Sequence, residues 1–197
     1  MMARAASILT LMALTLGACS GGDNGDRQVV PRRYTYHRMN LYPAEYVDIG
    51  GKPELFVNAH ARVVTDSLRT DGVRWVTVDY PRYDGALFIT VTPVKPGDFD
   101  RVMENRMERI GLTAGAGSVE NISFEAEKGG YICEVFTSRS TSADPVQFLA
   151  YAEGRDRLAT GSFHFNGPTD QVAVDSIMPV VERVKADVVN LLMQLSD

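Results

Sequence analysis

The chain has 197 residues, a formal net charge of −5 and an apolar fraction of 45%. A mildly acidic chain without a block of basic residues is a poor candidate for binding nucleic acid or anionic lipid headgroups, so we expect neither as a partner. This length is enough for one ordinary domain with a sizeable hydrophobic core.

The first residues predict an export signal that ends in a lipid attachment site. Arg4 precedes an apolar run over residues 5–16, which is too short to cross about 30 Å of hydrocarbon as a helix. A charged start, a short apolar segment and small residues before a cleavage site are typical of a signal peptide. Because Leu16-Gly17-Ala18-Cys19 follows, we interpret residues 1–18 as a lipoprotein signal peptide and Cys19 as the acylated residue. The alternative is an ordinary signal peptide in which Cys19 lies beside the cut by chance.

The residues after Cys19 predict a flexible connection to a folded domain. Residues 20–33 have little apolar surface to bury and contain several turn-forming residues. We therefore interpret residues 19–33 as a tether that lifts the domain from the bilayer. Residues 34–197 are predicted to form a single globular domain.

Alternating and β-branched segments predict a mainly antiparallel sheet of about six to eight strands. Residues 34–41 and 54–64 are the first two candidates. The clearest hairpin joins residues 73–80 to residues 86–94 through Pro81-Arg82-Tyr83-Asp84-Gly85. We expect its second strand to be central and covered on both faces. Two further hairpins are predicted, which pair residues 120–127 with 131–139 and residues 146–152 with 158–165.

Two amphipathic segments predict helices. The first, about residues 98–111, starts at the N-cap Asp98, and we interpret its apolar stripe as core packing. That stripe consists of Phe99, Val102, Met103, Met107 and Ile110. The second, about residues 175–195, has the broader apolar stripe, with Pro179 in its first turn. Hairpin-linked strands with one internal and one C-terminal helix indicate an α+β domain.

We find no catalytic, cofactor or metal motif in the sequence. Gly115-Ala116-Gly117 lacks the spacing and the lysine of a phosphate-binding loop, and no serine lies in a G-x-S-x-G pattern. Glu125 and Glu127 fit a solvated strand face better than an acid–base pair. The histidines are isolated, so they do not predict a zinc site: His37, His60 and His164. We therefore expect no enzyme activity, no cofactor and no metal, and we identify no small-molecule substrate.

Two groups of side chains allow a structural or a functional interpretation. Cys133 lies on a predicted strand, where a free cysteine usually acts as a small buried hydrophobe rather than a nucleophile. Aromatic residues gather at the start of the domain and beside the first hairpin: Tyr34, Tyr36, Tyr42, Tyr46, Trp75, Tyr80 and Tyr83. Aromatic residues are enriched in contact surfaces, but they also close the cores of small sheets, so both interpretations stay open.

Several collinear segments carry a resemblance to a known family. Residues 161–166 (GSFHFN) are followed by residues 175–181 (DSIMPVV) and an amphipathic helix that ends at Leu191-Leu192. Residues 143–148 (ADPVQF) and 75–83 (WVTVDYPRY) precede them. Taken in chain order, and together with the lipid attachment motif Leu16-Gly17-Ala18-Cys19, these segments resemble the gliding-motility lipoprotein GldD family of Bacteroidota. The order of strands and helices is also similar to Mog1/PsbP-like domains, which are binding and assembly modules.

The resemblance implies a cell-envelope lipoprotein that is needed for gliding and associated with the type IX secretion apparatus. It transfers no catalytic residue, and Cys19 is the one functional position that it transfers. We take six residues as a candidate partner surface: Tyr34, Tyr36, Tyr83, Asp144, Pro145 and Gln147. Ser20 follows Cys19 where aspartate would signal retention in the inner membrane, which favours the outer membrane.

Three hypotheses for the function follow. The first is a non-enzymatic, lipid-anchored accessory or scaffold component of the gliding and type IX secretion machinery, with other envelope proteins as partners. The second is a periplasmic carrier or sensor that holds an apolar or glycan ligand between sheet and helices. The third is an undetected hydrolase.

Overall fold

The computed structural model describes residues 40–113, 119–152, 154 and 156–196. The predicted signal peptide, Cys19 and the tether lie outside these residues, as do Tyr34 and Tyr36. Of the first strand candidate, only Asn40 and Leu41 are described, and neither is in a strand. The domain boundaries therefore stay a prediction.

Nine strands, two α-helices and a short 3₁₀ helix (Pro81–Tyr83) are present in the part of the chain that the structure describes. The strands are β1 (Tyr46–Asp48), β2 (Phe56–Asn58), β3 (Arg62–Leu68), β4 (Arg74–Tyr80), β5 (Gly85–Pro93), β6 (Val119–Glu125), β7 (Tyr131–Ser138), β8 (Val146–Ala152) and β9 (Arg157–Phe165). The helices are α1 (Phe99–Thr113) and α2 (Val174–Met193). The predicted α+β class, the three hairpins and both helices are confirmed.

A seven-stranded antiparallel sheet organises the domain, in the order β3-β4-β5-β9-β8-β7-β6. It consists of two runs of consecutive antiparallel strands, β3 to β5 and β6 to β9. The two runs are joined where β5 pairs with β9 along its whole length. The short strands β1 and β2 pair with each other in a separate sheet.

The main hydrophobic core lies between α2 and one face of the large sheet, which we call the inner face. α2 packs against β7, β8 and β2. Its apolar stripe is buried, including Ile177, Val181, Val184, Val188 and Leu191. Each such side chain contributes about 1.5–3 kcal/mol by leaving water, so this interface dominates the stability of the domain.

Two predictions about strands are wrong in detail. Residues 54–64 are not one strand, because the chain turns after Asn58. The Asn58 side chain accepts a hydrogen bond from the His60 backbone N–H (2.9 Å), which is the local bonding that lets asparagine start a turn. β5 is not covered on both faces, since Phe88 remains 44% exposed.

Two predictions about helices also need correction. None of the residues of α1 is buried, and Met107 is 39% exposed, so its apolar stripe is not part of the main core. An amphipathic pattern shows which side of a helix faces the protein, but it does not show how closely the helix approaches. α2 begins at Val174, which places Pro179 in the second turn rather than the first.

Candidate partner-binding groove

The face of the large sheet opposite α2, which we call the outer face, is only partly covered. α1 crosses it over β8, because Phe99 contacts the ring of Tyr151 (5.2 Å between centroids) and the Thr113 hydroxyl donates a hydrogen bond to Gln147 (2.9 Å). Some apolar side chains are buried outside the main core cluster: Val94, Phe136, Leu149 and Leu158. Strand alternation places the last three on the outer face, on β7, β8 and β9.

A cleft of about 200 Å³ remains between α1 and the sheet. Arg106, Arg109 and Ile110 of α1 form one wall. Its floor includes Thr90 of β5, with Thr160 and Ser162 of β9. Thr90 lies opposite Thr160 in the β5–β9 register, so these hydroxyl groups are neighbours across the strand pair.

A second cleft of about 260 Å³ adjoins the first and is more apolar. It is lined by Trp75 and Phe88, which are 45% and 44% exposed. Phe88 and Thr90 line both clefts, so the two depressions are adjacent. We call them together the outer groove. The guanidinium group of Arg69 lies 5.1 Å from the Trp75 ring centroid and covers one side of the indole.

The outer groove is positively charged although the chain is acidic. Arg106 and Arg109 make no hydrogen bond or ion pair through their side chains with any residue that the structure describes. Partial burial lowers the pKa of Arg106, and the charge of Arg109 lowers that pKa further. The residues that line the two clefts include no aspartate or glutamate.

A second group of polar side chains is partly or fully buried beside the inner face, and we call it the polar cluster: Tyr46, Asn58, Arg183 and Asp187. Asp187 is 3% exposed and accepts hydrogen bonds from Arg183 and from the Asn58 amide (3.2 and 3.3 Å). Arg183 also donates a hydrogen bond to the Tyr46 hydroxyl (3.0 Å). Burial raises the pKa of Asp187, although Arg183 and Asn58 act to lower it. These bonds tie α2 to β1 and β2, which is a structural role.

The six predicted partner residues do not form one exposed patch. Tyr83 is fully buried, because the turn after β4 directs its ring into the core, where its hydroxyl accepts a hydrogen bond from the Tyr42 N–H (2.6 Å). Pro145 and Gln147 are also buried. Asp144 is partly exposed and lies 3.0 Å from a ring nitrogen of His164. Tyr34 and Tyr36 lie outside the described residues.

Other charged side chains that the structure brings together form ion pairs, as where Glu120 contacts Lys185 (2.9 Å) and Arg139 (3.2 Å). No group of three or more His, Cys, Asp or Glu that could hold a metal occurs in the described ranges. His60 contacts Glu45 (3.1 Å) and lies apart from the outer groove. Cys133 is fully buried on β7, and burial raises the pKa of its thiol to about 12, so it acts as a small hydrophobe as predicted.

Sequence reasoning identified the aromatic end of the outer groove and, through the candidate partner residue Gln147, one residue of the cleft beside α1, but it missed the two arginines there. Trp75 belongs to the aromatic group that the sequence singled out. Arg106 and Arg109 were missed because charges on the polar side of an amphipathic helix are ordinary. Asp187 could have been noticed, since it lies three residues after Val184 and within the apolar stripe of α2.

A comparison with protein families gives one match. A family model described as gliding motility lipoprotein GldD matches residues 26–196. No curated protein and no solved structure matches the chain. The likeness to Mog1/PsbP-like domains therefore stays a prediction. In the described residues, no helix is both long and apolar enough to cross a membrane.

Proposed function

The chain belongs to the gliding motility lipoprotein GldD family, and we propose that it is a lipid-anchored, non-enzymatic accessory component of the gliding and type IX secretion machinery. Its role is to bind other proteins of the cell envelope. The family match over residues 26–196 is the observation that carries this proposal.

The outer groove supports a binding role. The inner face of the sheet is buried in the main core, whereas the outer face keeps Trp75 and Phe88 nearly half exposed. Large aromatic side chains are enriched where proteins contact each other. A carrier of small ligands would need space between the sheet and α2, but there the side chains are packed, with Val181, Val184 and Val188 fully buried.

The attachment to the membrane is part of the same proposal. Cys19 is acylated, residues 19–33 act as the tether, and Ser20 favours the outer membrane over the inner membrane. Two or three acyl chains give an anchor of long residence, whereas one chain binds only marginally. The folded domain then reaches its partners from the membrane surface.

Gene deletion combined with Cys19 variants tests the proposal. We expect deletion to impair colony spreading, or secretion of type IX cargo in a host that does not glide. Cys19→Ala should move the protein from the membrane fraction to the soluble fraction and fail to restore function. Ser20→Ala is the matched control and should remain at the membrane.

Two outcomes would contradict the proposal. If the deletion strain keeps normal spreading, secretion and envelope integrity, the protein is not a component of this machinery. If Cys19→Ala remains fully membrane-bound, the acyl group is not the main attachment.

A further inference from the structure

We propose that the outer groove binds a short acidic segment of a partner protein. Carboxylates of that segment contact Arg106 and Arg109, and an apolar side chain of the same segment lies against Trp75 and Phe88. This inference rests on the proposed function, because it names the chemistry of the partner that the same surface takes.

The two arginines carry the first step of the argument. They lie one turn apart on α1, so their like charges repel each other, and partial burial adds a desolvation cost for Arg106. Two other partly or fully buried guanidinium groups have carboxylate partners: Arg74 is bonded to Asp66 and Arg183 to Asp187. An anion in the groove would give Arg106 and Arg109 the partner that those two residues have.

The floor of the cleft suits a carboxylate. Thr90, Thr160 and Ser162 are partly buried residues, and the hydroxyl group of each can donate a hydrogen bond to a carboxylate oxygen. Guanidinium groups bind carboxylates in a bidentate, charge-assisted geometry. Because neither cleft is lined by an acidic side chain, no group there opposes an incoming anion.

The apolar end of the groove favours a polypeptide segment over a free anion. A phosphate ion would occupy only the end with the arginines and would leave Trp75 and Phe88 exposed. A segment that combines acidic and apolar side chains can contact both clefts, since these adjoin at Phe88 and Thr90. Nucleic acid is disfavoured by the net charge of −5.

Fluorescence titration of the full chain in non-denaturing detergent tests the proposal. Trp75 is the only tryptophan and lies in the groove, so it reports occupancy directly. The probes are synthetic peptides that combine leucine with glutamates, together with versions in which glutamine or lysine replaces each glutamate. We expect the acidic peptides to bind and the glutamine and lysine versions to bind about tenfold more weakly or not at all.

Variants of α1 separate the groove from general surface charge. Arg106→Gln/Arg109→Gln should weaken binding of the acidic peptides about tenfold or more. Arg101→Gln is the matched control, since the Arg101 side chain lies on the same helix, is 70% exposed and pairs with Asp98. The affinity of this variant for the acidic peptides should stay within about twofold of the wild-type value. All three proteins should unfold at the same urea concentration, which excludes loss of folding as the cause.

Several results would overturn the inference. One is equal affinity for the acidic peptides and their glutamine versions. Another is an unchanged affinity for the acidic peptides in Arg106→Gln/Arg109→Gln. A third is that no acidic peptide binds with a dissociation constant below about 1 mM. Inorganic phosphate that binds as tightly as the peptides, with no effect of leucine, would show an anion site only. Self-association that Arg106→Gln/Arg109→Gln abolishes would identify a second copy of the chain as the occupant.

The two proposals can fail separately. Arg106→Gln/Arg109→Gln expressed in the deletion strain should stay in the membrane fraction but not restore spreading or secretion. If the acidic peptides bind while the deletion has no phenotype, the proposed function is wrong and the inference that the groove binds an acidic segment stands. If the deletion impairs spreading or secretion and the double variant restores it fully, the inference about the groove is wrong and the proposed function stands.

Discussion

Removing the carboxylate of Asp187 should destabilise the domain strongly. In Asp187→Leu, Arg183 keeps only its hydrogen bond to the Tyr46 hydroxyl (3.0 Å), and the Asn58 amide nitrogen keeps only its bond to the Pro43 carbonyl (2.9 Å). The Arg183 side chain is 14% exposed, so its charge is left with little water and no counterion. Breaking a buried ion pair on one side costs about 3–5 kcal/mol.

The same reasoning predicts that the loss of stability in Asp187→Leu comes from the unpaired charge of Arg183 rather than from the lost attraction within the ion pair. Replacing both partners by apolar residues of similar size is often neutral or stabilising. Asp187→Leu/Arg183→Met should therefore be more stable than Asp187→Leu alone, by about 2 kcal/mol or more. For a domain whose total stability is about 5–15 kcal/mol, both differences are large enough to measure.

Urea denaturation of the purified full chain measures these free energies of unfolding, with Trp75 fluorescence and far-UV circular dichroism as independent signals. The matched control is Glu182→Gln on the same helix, because Glu182 is 45% exposed and 3.7 Å from Arg139, and it should cost under about 0.5 kcal/mol. A loss below about 1 kcal/mol for Asp187→Leu, or additive effects in the double variant, would refute the reasoning.

Three further predictions concern titration, thiol reactivity and close packing. Because the pKa of Asp187 is raised on folding, the native state holds this proton more tightly than the unfolded chain. The stability of the wild type relative to Asp187→Asn should therefore increase as pH falls from 7 toward 4, measured by urea denaturation at each pH, and a decrease would contradict the assignment. Cys133, fully buried with a thiol pKa of about 12, should react with a maleimide in Cys19→Ala only after unfolding; labelling of the native protein at the unfolded rate would show that this site opens. Gly161→Ala should lower the unfolding free energy by about 1–3 kcal/mol, because a Cβ there overlaps the Phe148 ring and the Phe88 carbonyl oxygen; Gly111→Ala, where a Cβ meets no atom within 4 Å, is the control, and equal stability of the two would refute the argument.

The strands could be predicted from the sequence because their signals are local. Residues 73–80 and 86–94 combine β-branched residues with a turn that contains Pro81 and Gly85, and the structure pairs them as expected. The break after Asn58 was missed because it depends on one side-chain hydrogen bond to the backbone. An apolar alternation continues across it and hides the turn.

The groove could not be predicted because it depends on distances between elements. The pattern of α1 shows which side faces the sheet, but no local rule shows that the helix leaves space for Arg106 above β9. The same limit applies to Asp187, whose partners Asn58 and Tyr46 are far away in the sequence. A sequence pattern reports the environment of a side chain only when its neighbours are close along the chain.

The pairing of β5 with β9 also affects how the protein is made. β5 ends at Pro93 and its partner begins at Arg157, so β5 must wait for a long stretch of chain before its free side is paired. Until then, the folding chain presents β5 as an open edge rich in apolar residues, which other chains can join. Contacts between distant segments form slowly, since the loop between them must close first. The period before this central pair of strands forms is therefore when the chain is most prone to aggregate.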